Sequence, residues 1–155
     1  MGRTLVTSGT RFERLAGYSR AVVDGDMVYL SGTVGIDYAT QRLPEGAVAQ
    51  TEQIVRNIEA TLAAVGSRLA DVLRIRVFLA DRADLLPVCE VIGRHFRAVR
   101  AANTTVCTTL ATAEMRVEIE ATARRGSGRG RPRVIALGGG ATRAAGRRAT
   151  APRRG

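Results

Sequence analysis

The sequence predicts a two-layer α+β domain, a mixed sheet with two helices on one face, and three observations predict it. An Asp24-Gly25 pair separates two apolar runs, as in a hairpin. Two stretches, one after Pro44 and one after Asp84, place apolar residues three and four apart. Three further runs are β-branched or alternate with a period of two. The resulting order is strand, strand, helix, strand, helix, strand, strand, with an uncertain strand ahead of it. Two helices with one polar face each must pack side by side on the same side of the sheet, leaving its other face bare. Valine, isoleucine and leucine exposed over that area would aggregate, so self-association that covers the face is expected.

Taken in order, residues 4–7 read as a short edge strand and residues 11–15 as a strand or a loop. Residues 21–23 and 27–31 pair across a turn at Asp24-Gly25, which supplies the positive φ angles of a tight hairpin and fixes the register. The second strand, MVYLSG, ends at Ser31-Gly32, and Gly35 follows. Glycine there admits a ligand or another backbone, and a plain strand end is an equal reading. Residues 38–46 form a loop. Val48, Thr51, Ile54, Val55, Ile58, Leu62 and Val65 then make one apolar stripe, with Gln50, Gln53, Asn57 and the charged residues on the other side and Gly66 as the cap. This helix is scaffold. Residues 72–79 form a strand with Leu73, Ile75, Val77 and Leu79 inward and Arg74 and Arg76 outward. Asp81 and Asp84 are candidate N-caps for a helix over 85–99 that buries Leu85, Val88, Ile92 and Phe96, with His95 beside that face.

Charge and composition bound the function. The net charge is +10, but residues 126–155 hold eight arginines and no acid, so only +2 remains for residues 1–125. Every basic residue is arginine, a pattern closer to coding bias than to a phosphate-binding surface, and the tail lacks the aromatics that nucleic-acid sites interleave with basic residues. Nucleic acid is therefore expected only as a non-specific, salt-sensitive partner of the tail. The tail, rich in Gly, Ala and Arg, cannot bury enough apolar surface to fold alone and is expected to be disordered or packed only opportunistically. No apolar run approaches a membrane span, and the N-terminus lacks a signal-like segment, so a cytoplasmic protein is expected. Cys89 and Cys107 suggest no disulfide framework, and with His95 the only histidine neither a zinc site nor a cofactor is expected.

The chain closes on two strands joined by a short loop, a β-branched run over 104–110 and an alternating one over 117–123, with Ala113 and Glu114 at the turn between them. Val117, Ile119 and Ala121 alternate with Glu118, Glu120 and Thr122, so one face carries two carboxylates. A solvated sheet face explains them, and so does a protected cleft. The closing V-E-I-E-A-T-A, preceded at a fixed distance by A-N-T-T-V, resembles the C-terminal signature of the RidA/YjgF family, P-x-R-[ST]-x-V followed by a strand and (I/V)-E-(I/V)-E-A. The resemblance covers about residues 11–125, with residues 126–155 beyond it.

That resemblance implies a chorismate-mutase-like fold, a homotrimer whose sheets form a central barrel, and ligand clefts between subunits. It also implies hydrolysis of reactive imines and enamines derived from amino acids, such as 2-aminoacrylate and 2-iminopropanoate, to 2-oxo acids and ammonia. In such members an arginine grips the substrate carboxylate with two charge-assisted bonds and a glutamate positions the attacking water. Carried over, Glu118 matches the water-positioning acid, Ser31 and Gly32 the assisting strand-end pair, Tyr18 the upstream tyrosine, and Thr105 the residue two after the arginine. Asn103 stands in the arginine's own place. An amide offers neutral hydrogen bonds about 1–2 kcal/mol weaker than charged ones, so 2-imino acid deamination is expected to be weak or lost. Two readings follow. One is an enzyme acting on an imine, an enamine or a related small nitrogen compound through Glu118, and the other a non-catalytic trimer that binds a metabolite or regulates a partner.

Overall fold

A computed structural model describes residues 2–137 of the chain. Its elements are strands β1 (Thr4–Val6), β2 (Ala21–Asp24), β3 (Met27–Val34), β4 (Val72–Leu79), β5 (Ala102–Cys107) and β6 (Val117–Arg124), and helices α1 (Arg11–Ala16), α2 (Ala47–Ala63) and α3 (Leu85–Phe96). The expected α+β architecture with a mixed sheet is present. The strands form one sheet in the order β1-β2-β3-β6-β4-β5, antiparallel throughout except where β5 runs parallel to β4. Helices α2 and α3 pack together on one face. There Ile54, Ile58, Leu62, Val88, Ile92 and Phe96 meet Val28, Ile75, Val77, Leu79, Ile119 and Ala121 in a single core.

The two closing strands read from the sequence are present, and they do not pair with each other. β6 inserts between β3 and β4, while β5 is carried by α3 to the outer edge of β4. The reason is topological: β4, α3 and β5 form a crossover unit, which makes β5 parallel, and only β6 is apolar enough on alternate positions for the centre of the sheet. β5, with Asn103 and Thr104 exposed and Thr105 partly so, is an edge.

Other departures are local. Residues 11–15 are helical, because Thr10 accepts a hydrogen bond from the Glu13 amide at the start and Gly17, at φ 67°, ends the turn. The hairpin turn is Gly25-Asp26, one residue later than expected, with Asp24 still paired to Met27. β3 does not stop at Ser31-Gly32 but runs on to Val34 through a bulge between Leu30 and Thr33. α3 stops at Phe96 rather than 99. Leu73 is 44% exposed instead of inward, since a register shift between Val72 and Arg74 changes the alternation there. On α2, Val48 is 46% exposed, whereas Gln50, Gln53 and Asn57, expected on the polar side, are buried.

Those buried amides do structural work. Gln50 Nε2 donates to the Pro44 and Glu114 carbonyls at 3.0 and 2.8 Å, and its Oε1 accepts from the Arg116 amide at 2.8 Å. Asn57 Nδ2 donates to the carbonyls of Val34 and Ile36 at 3.2 and 2.8 Å. α2 thus clamps the ends of β3 and of the loop before β6. Gly35 permits the approach: a Cβ there would lie 2.8 Å from the Gln50 backbone.

The face away from the helices carries Tyr29, Arg74, Arg76, Phe78, Glu118, Glu120 and Thr122, so it is more charged than the run of Val, Ile and Leu expected for it. No helix among the described residues is long and apolar enough to cross a membrane. Of the tail, residues 126–130 dock against the turn before β4. Gly128 N donates to Asp71 Oδ1 at 2.9 Å, Ser127 Oγ to the Asp71 carbonyl at 3.0 Å, and Arg68 to the Gly128 carbonyl at 3.2 Å. The remainder of the expected disordered tail, from residue 138 on, lies outside the described residues.

Burial pushes the Asp71 carboxyl up, but hydrogen bonds from the amides of Gly128, Gly126 and Arg68 and from Ser67 outweigh it and hold the group below its ordinary value. A chain ended at Arg125 loses two of those donors and is expected to be less stable by about 1–3 kcal/mol at neutral pH. An acid depressed in the folded state contributes stability above its unfolded pKa and loses it as pH falls. The deficit should therefore shrink in acid, as urea unfolding of the two chains at pH 7 and pH 3 will show.

Candidate functional site

The site is built where β3 and β6 run side by side. On β6 the odd positions Val117, Ile119, Ala121 and Ala123 are buried under the helices, so Glu118 and Glu120 both project from the opposite face. Their surroundings differ. Glu120 lies 3.4 Å from Arg76, in a pair about half exposed on both sides. Glu118 has no salt-bridge partner among the described residues. Its register partners are Val34 on β3 and Phe78 on β4.

The Glu118 carboxyl folds over the bulge. A Cβ built on Gly32 would fall 1.9 Å from Glu118 Oε1 and 2.9 Å from its Cδ, so the carboxyl fills the space that any other residue's side chain would take. Ser31, next to it, donates its hydroxyl to the Ser19 carbonyl at 2.7 Å and its amide to the Arg20 carbonyl at 3.0 Å. These two bonds tie β3 to the segment that carries Tyr18. Tyr18 in turn lays its ring over the Arg20 guanidinium, 5.2 Å from centroid to Cζ. The structure thus brings Tyr18, Ser31, Gly32 and Glu118 into one neighbourhood.

Burial holds the Glu118 carboxyl above its ordinary pKa, the Glu120 charge adds to this, and the Arg20 guanidinium pulls the other way. The result is an acid that keeps its proton more readily than a surface glutamate and can return it to a basic atom nearby. That is the property a proton-transfer group requires.

Asn103 and Thr105 do not belong to this neighbourhood within one chain. They sit on the edge strand β5, paired with Ile75 and Val77, and β4 separates them from β6. Ile75 and Val77 face the helices, so Asn103 and Thr105 stand on that side, with Thr105 Oγ1 3.4 Å from Asn103 Oδ1, and Glu118 stands on the other. Asn103 instead borders a cavity of about 380 Å³ beside α3, together with Phe96, Arg97 and Arg100. Within one chain, therefore, Asn103 and Thr105 are separate from the Glu118 neighbourhood.

The sequence reading passed over Arg20. It is buried, and its Nε is 3.6 Å from Glu13 Oε1. Glu13 is also buried, and it accepts hydrogen bonds from the Thr7 hydroxyl and from the amide and hydroxyl of Ser8. Burial pushes the Glu13 carboxyl up, and these bonds more than offset it. Two signals were present: the T-x-x-E spacing of Thr10 and Glu13, which caps α1, and the placement of Arg20 two residues after Tyr18 and next to the inward Ala21. Among the described residues no group of three or more His, Cys, Asp and Glu is placed to hold a metal ion.

The family model described as Endoribonuclease L-PSP matches residues 8–125. A Myxococcus xanthus protein named DfrA is 38% identical over 126 residues, covering 79% of this chain and 96% of that one. A Dermatophagoides farinae protein named 2-iminobutanoate/2-iminopropanoate deaminase is 31% identical over 104 residues, covering 66% of this chain and 81% of that one. Among solved structures, a Mycobacterium tuberculosis member of the YjgF/YER057c/UK114 family superposes with a TM-score of 0.73 at 38% identity, over 79% of this chain and 99% of that one. With the family model matching residues 8–125 and these relatives alongside it, the chain belongs to the RidA/YjgF family, whose members include proteins named as imine deaminases.

Proposed function

We propose that this protein hydrolyses a small imine or enamine at Glu118, in a cleft completed by a second copy of the chain within a homotrimer. The observation that carries the reading is the half-buried Glu118 carboxyl, without an ion-pair partner among the described residues, folded over Gly32 beside Ser31 and Tyr18. Relatives named 2-iminobutanoate/2-iminopropanoate deaminase support the reaction type.

The chemistry needs one proton shuttle. Glu118, as carboxylate, takes a proton from a water as its oxygen bonds to the carbon of the protonated C=N group. The carbinolamine that forms then loses its nitrogen as ammonia, with the Glu118 proton delivered to that nitrogen as the C–N bond breaks and the carbonyl forms. The hydroxyl proton passes to the departing ammonia, so protonated imine and water are consumed, carbonyl compound and ammonium are released, and Glu118 returns to its carboxylate. The carboxyl sits against Gly32 because no Cβ intervenes, and the half-exposed Tyr18 lies at the edge of the same neighbourhood.

Asn103 and Thr105 point away from Glu118 in their own chain, so they reach it only from another copy. β5 is an uncovered edge and the Glu118 face is an uncovered sheet surface, and the two together supply both sides of a cleft. In that cleft Asn103 contributes neutral hydrogen bonds where a guanidinium would grip a carboxylate twice, which reduces turnover of 2-imino acids. The same lack of charge supports the second reading, a cleft that binds a small nitrogen compound without turning it over.

Light scattering is expected to give the mass of three chains, and a monomer at micromolar concentration would remove the shared cleft. Glu118→Gln is expected to lower turnover of 2-iminopropanoate by about a hundredfold or more. The same substitution should raise the melting temperature at neutral pH, where the wild-type group ionises against its burial, and give no gain well below pH 4. A carboxyl raised in the folded state contributes fully below its unfolded pKa and loses that contribution as pH rises. Asn103→Arg is expected to raise kcat/KM for 2-iminopropanoate by about tenfold or more, and an unchanged value would separate position 103 from the cleft.

A further inference from the structure

Arg20 is the only buried arginine among the described residues. Its guanidinium donates no hydrogen bond to any described residue, and its Nε is sealed from solvent without an acceptor. Glu13 sits 3.6 Å from that Nε, close enough to balance charge but beyond a hydrogen bond, and its oxygens are already taken up by Thr7 and Ser8. The sealed Nε faces only the Glu13 charge, whereas the two terminal nitrogens bond no described residue and keep access to solvent, so they are the donors open to an acceptor from outside the chain.

The location says which kind of acceptor. The Arg20 carbonyl accepts from the Ser31 amide at 3.0 Å, so Arg20 lies across from Ser31 at the bulge over which Glu118 folds. Ala21, the next residue, is buried under the helices, so Arg20 projects to the Glu118 side of the sheet. Its charge acts on the Glu118 carboxyl. Of the acids on that face, Glu120 is met by Arg76, with Arg74 on the same face, while Arg20 is the cation whose charge reaches Glu118. The Tyr18 ring covers it and is itself 37% exposed, so one side chain at the surface stands between the guanidinium and solvent.

We propose that Arg20 is the anion-binding group of the Glu118 site, receiving the carboxylate of a small 2-imino or 2-oxo acid on the side of the cleft opposite Asn103. The inference rests on the reading of Glu118 and its neighbours as a ligand site. It adds that the cation needed for an acidic substrate is held behind Tyr18 and not on β5. A guanidinium with free donors discriminates a carboxylate from the isosteric amide, whereas a purely structural arginine does not.

The test compares 2-oxobutanoate with 2-oxobutanamide by calorimetric titration of the full-length protein. The wild type is expected to bind the carboxylate about tenfold or more tightly than the amide. Arg20→Gln is expected to erase that preference while still binding the amide, and Arg20→Lys to keep part of it. Equal binding of both probes by the wild type, no binding of either, or a preference that survives Arg20→Gln would overturn the proposal. If Arg20→Gln does not fold, Glu13→Gln decides: releasing the counter-charge should tighten carboxylate binding about threefold or more, and unchanged affinity counts against Arg20. Turnover separates this from the function above. A carboxylate preference without hydrolysis leaves Arg20 in place and removes the enzyme, and hydrolysis lost in Glu118→Gln without any such preference does the reverse.

Discussion

The arrangement of the whole site depends on one steric fact, that the carboxyl of Glu118 occupies the volume a Cβ would fill on Gly32. Any other residue at 32 would expel the carboxyl from the sheet surface. The bulge between Leu30 and Thr33 follows from the same place, because the strand must accommodate Ser31 and Gly32 across from β6 and then recover its register with Ile119 and Glu118. A bulge also turns the backbone and adds twist, which lets Ser31 reach back to the Ser19 carbonyl. From that bond the position of Tyr18 and Arg20 follows. One missing methyl group thus organises residues drawn from three separate parts of the chain.

The helical layer holds this arrangement with polar groups rather than with apolar ones alone. Asn57 fixes the end of β3 through the carbonyls of Val34 and Ile36, and Gln50 fixes the entry to β6 through Glu114 and Arg116. Both amides are almost fully buried and both are satisfied, which makes them specific as well as stabilising. An apolar side chain in either place would leave carbonyls unpaired at the strand ends that set the height of Glu118 on β6.

How far this was legible in the sequence varies with the kind of information each feature needs. β4, β6 and the extent of α2 were readable because period and β-branching act locally, and the β2–β3 hairpin was readable to within one residue because the positive φ of Gly25 is a local demand. The exchange of neighbours, with β6 between β3 and β4 and β5 at the edge, was not, since nothing in residues 102–124 says which strand a strand pairs with. The buried Gln50, Gln53 and Asn57 escaped because a helical wheel sorts residues by polarity, while the fold sorts them by which carbonyls need a donor. Glu118 was found by resemblance to a known signature. Arg20 was missed because an arginine in a chain with no lysine carries little information until its burial is known.

The two glutamates of β6 show why burial and pairing must be read residue by residue. They share a strand, a face and a spacing of two, and the sequence offers a solvated surface and a protected cleft as explanations for both. Each explanation holds for one of them. Glu120 has Arg76 at 3.4 Å with both groups about half in water, an ion pair of the kind that contributes little to stability and whose removal the fold tolerates. Glu118 has less solvent, no ion-pair partner among the described residues, and a neighbouring negative charge, all of which oppose its ionisation. A fold that keeps an acid under those conditions accepts a loss of stability at neutral pH that a glutamine there would avoid. Sheet formation does not require that loss, because position 118 projects away from the core. The raised carboxyl therefore does not follow from the needs of the sheet, which is what marks Glu118 as a candidate for proton transfer.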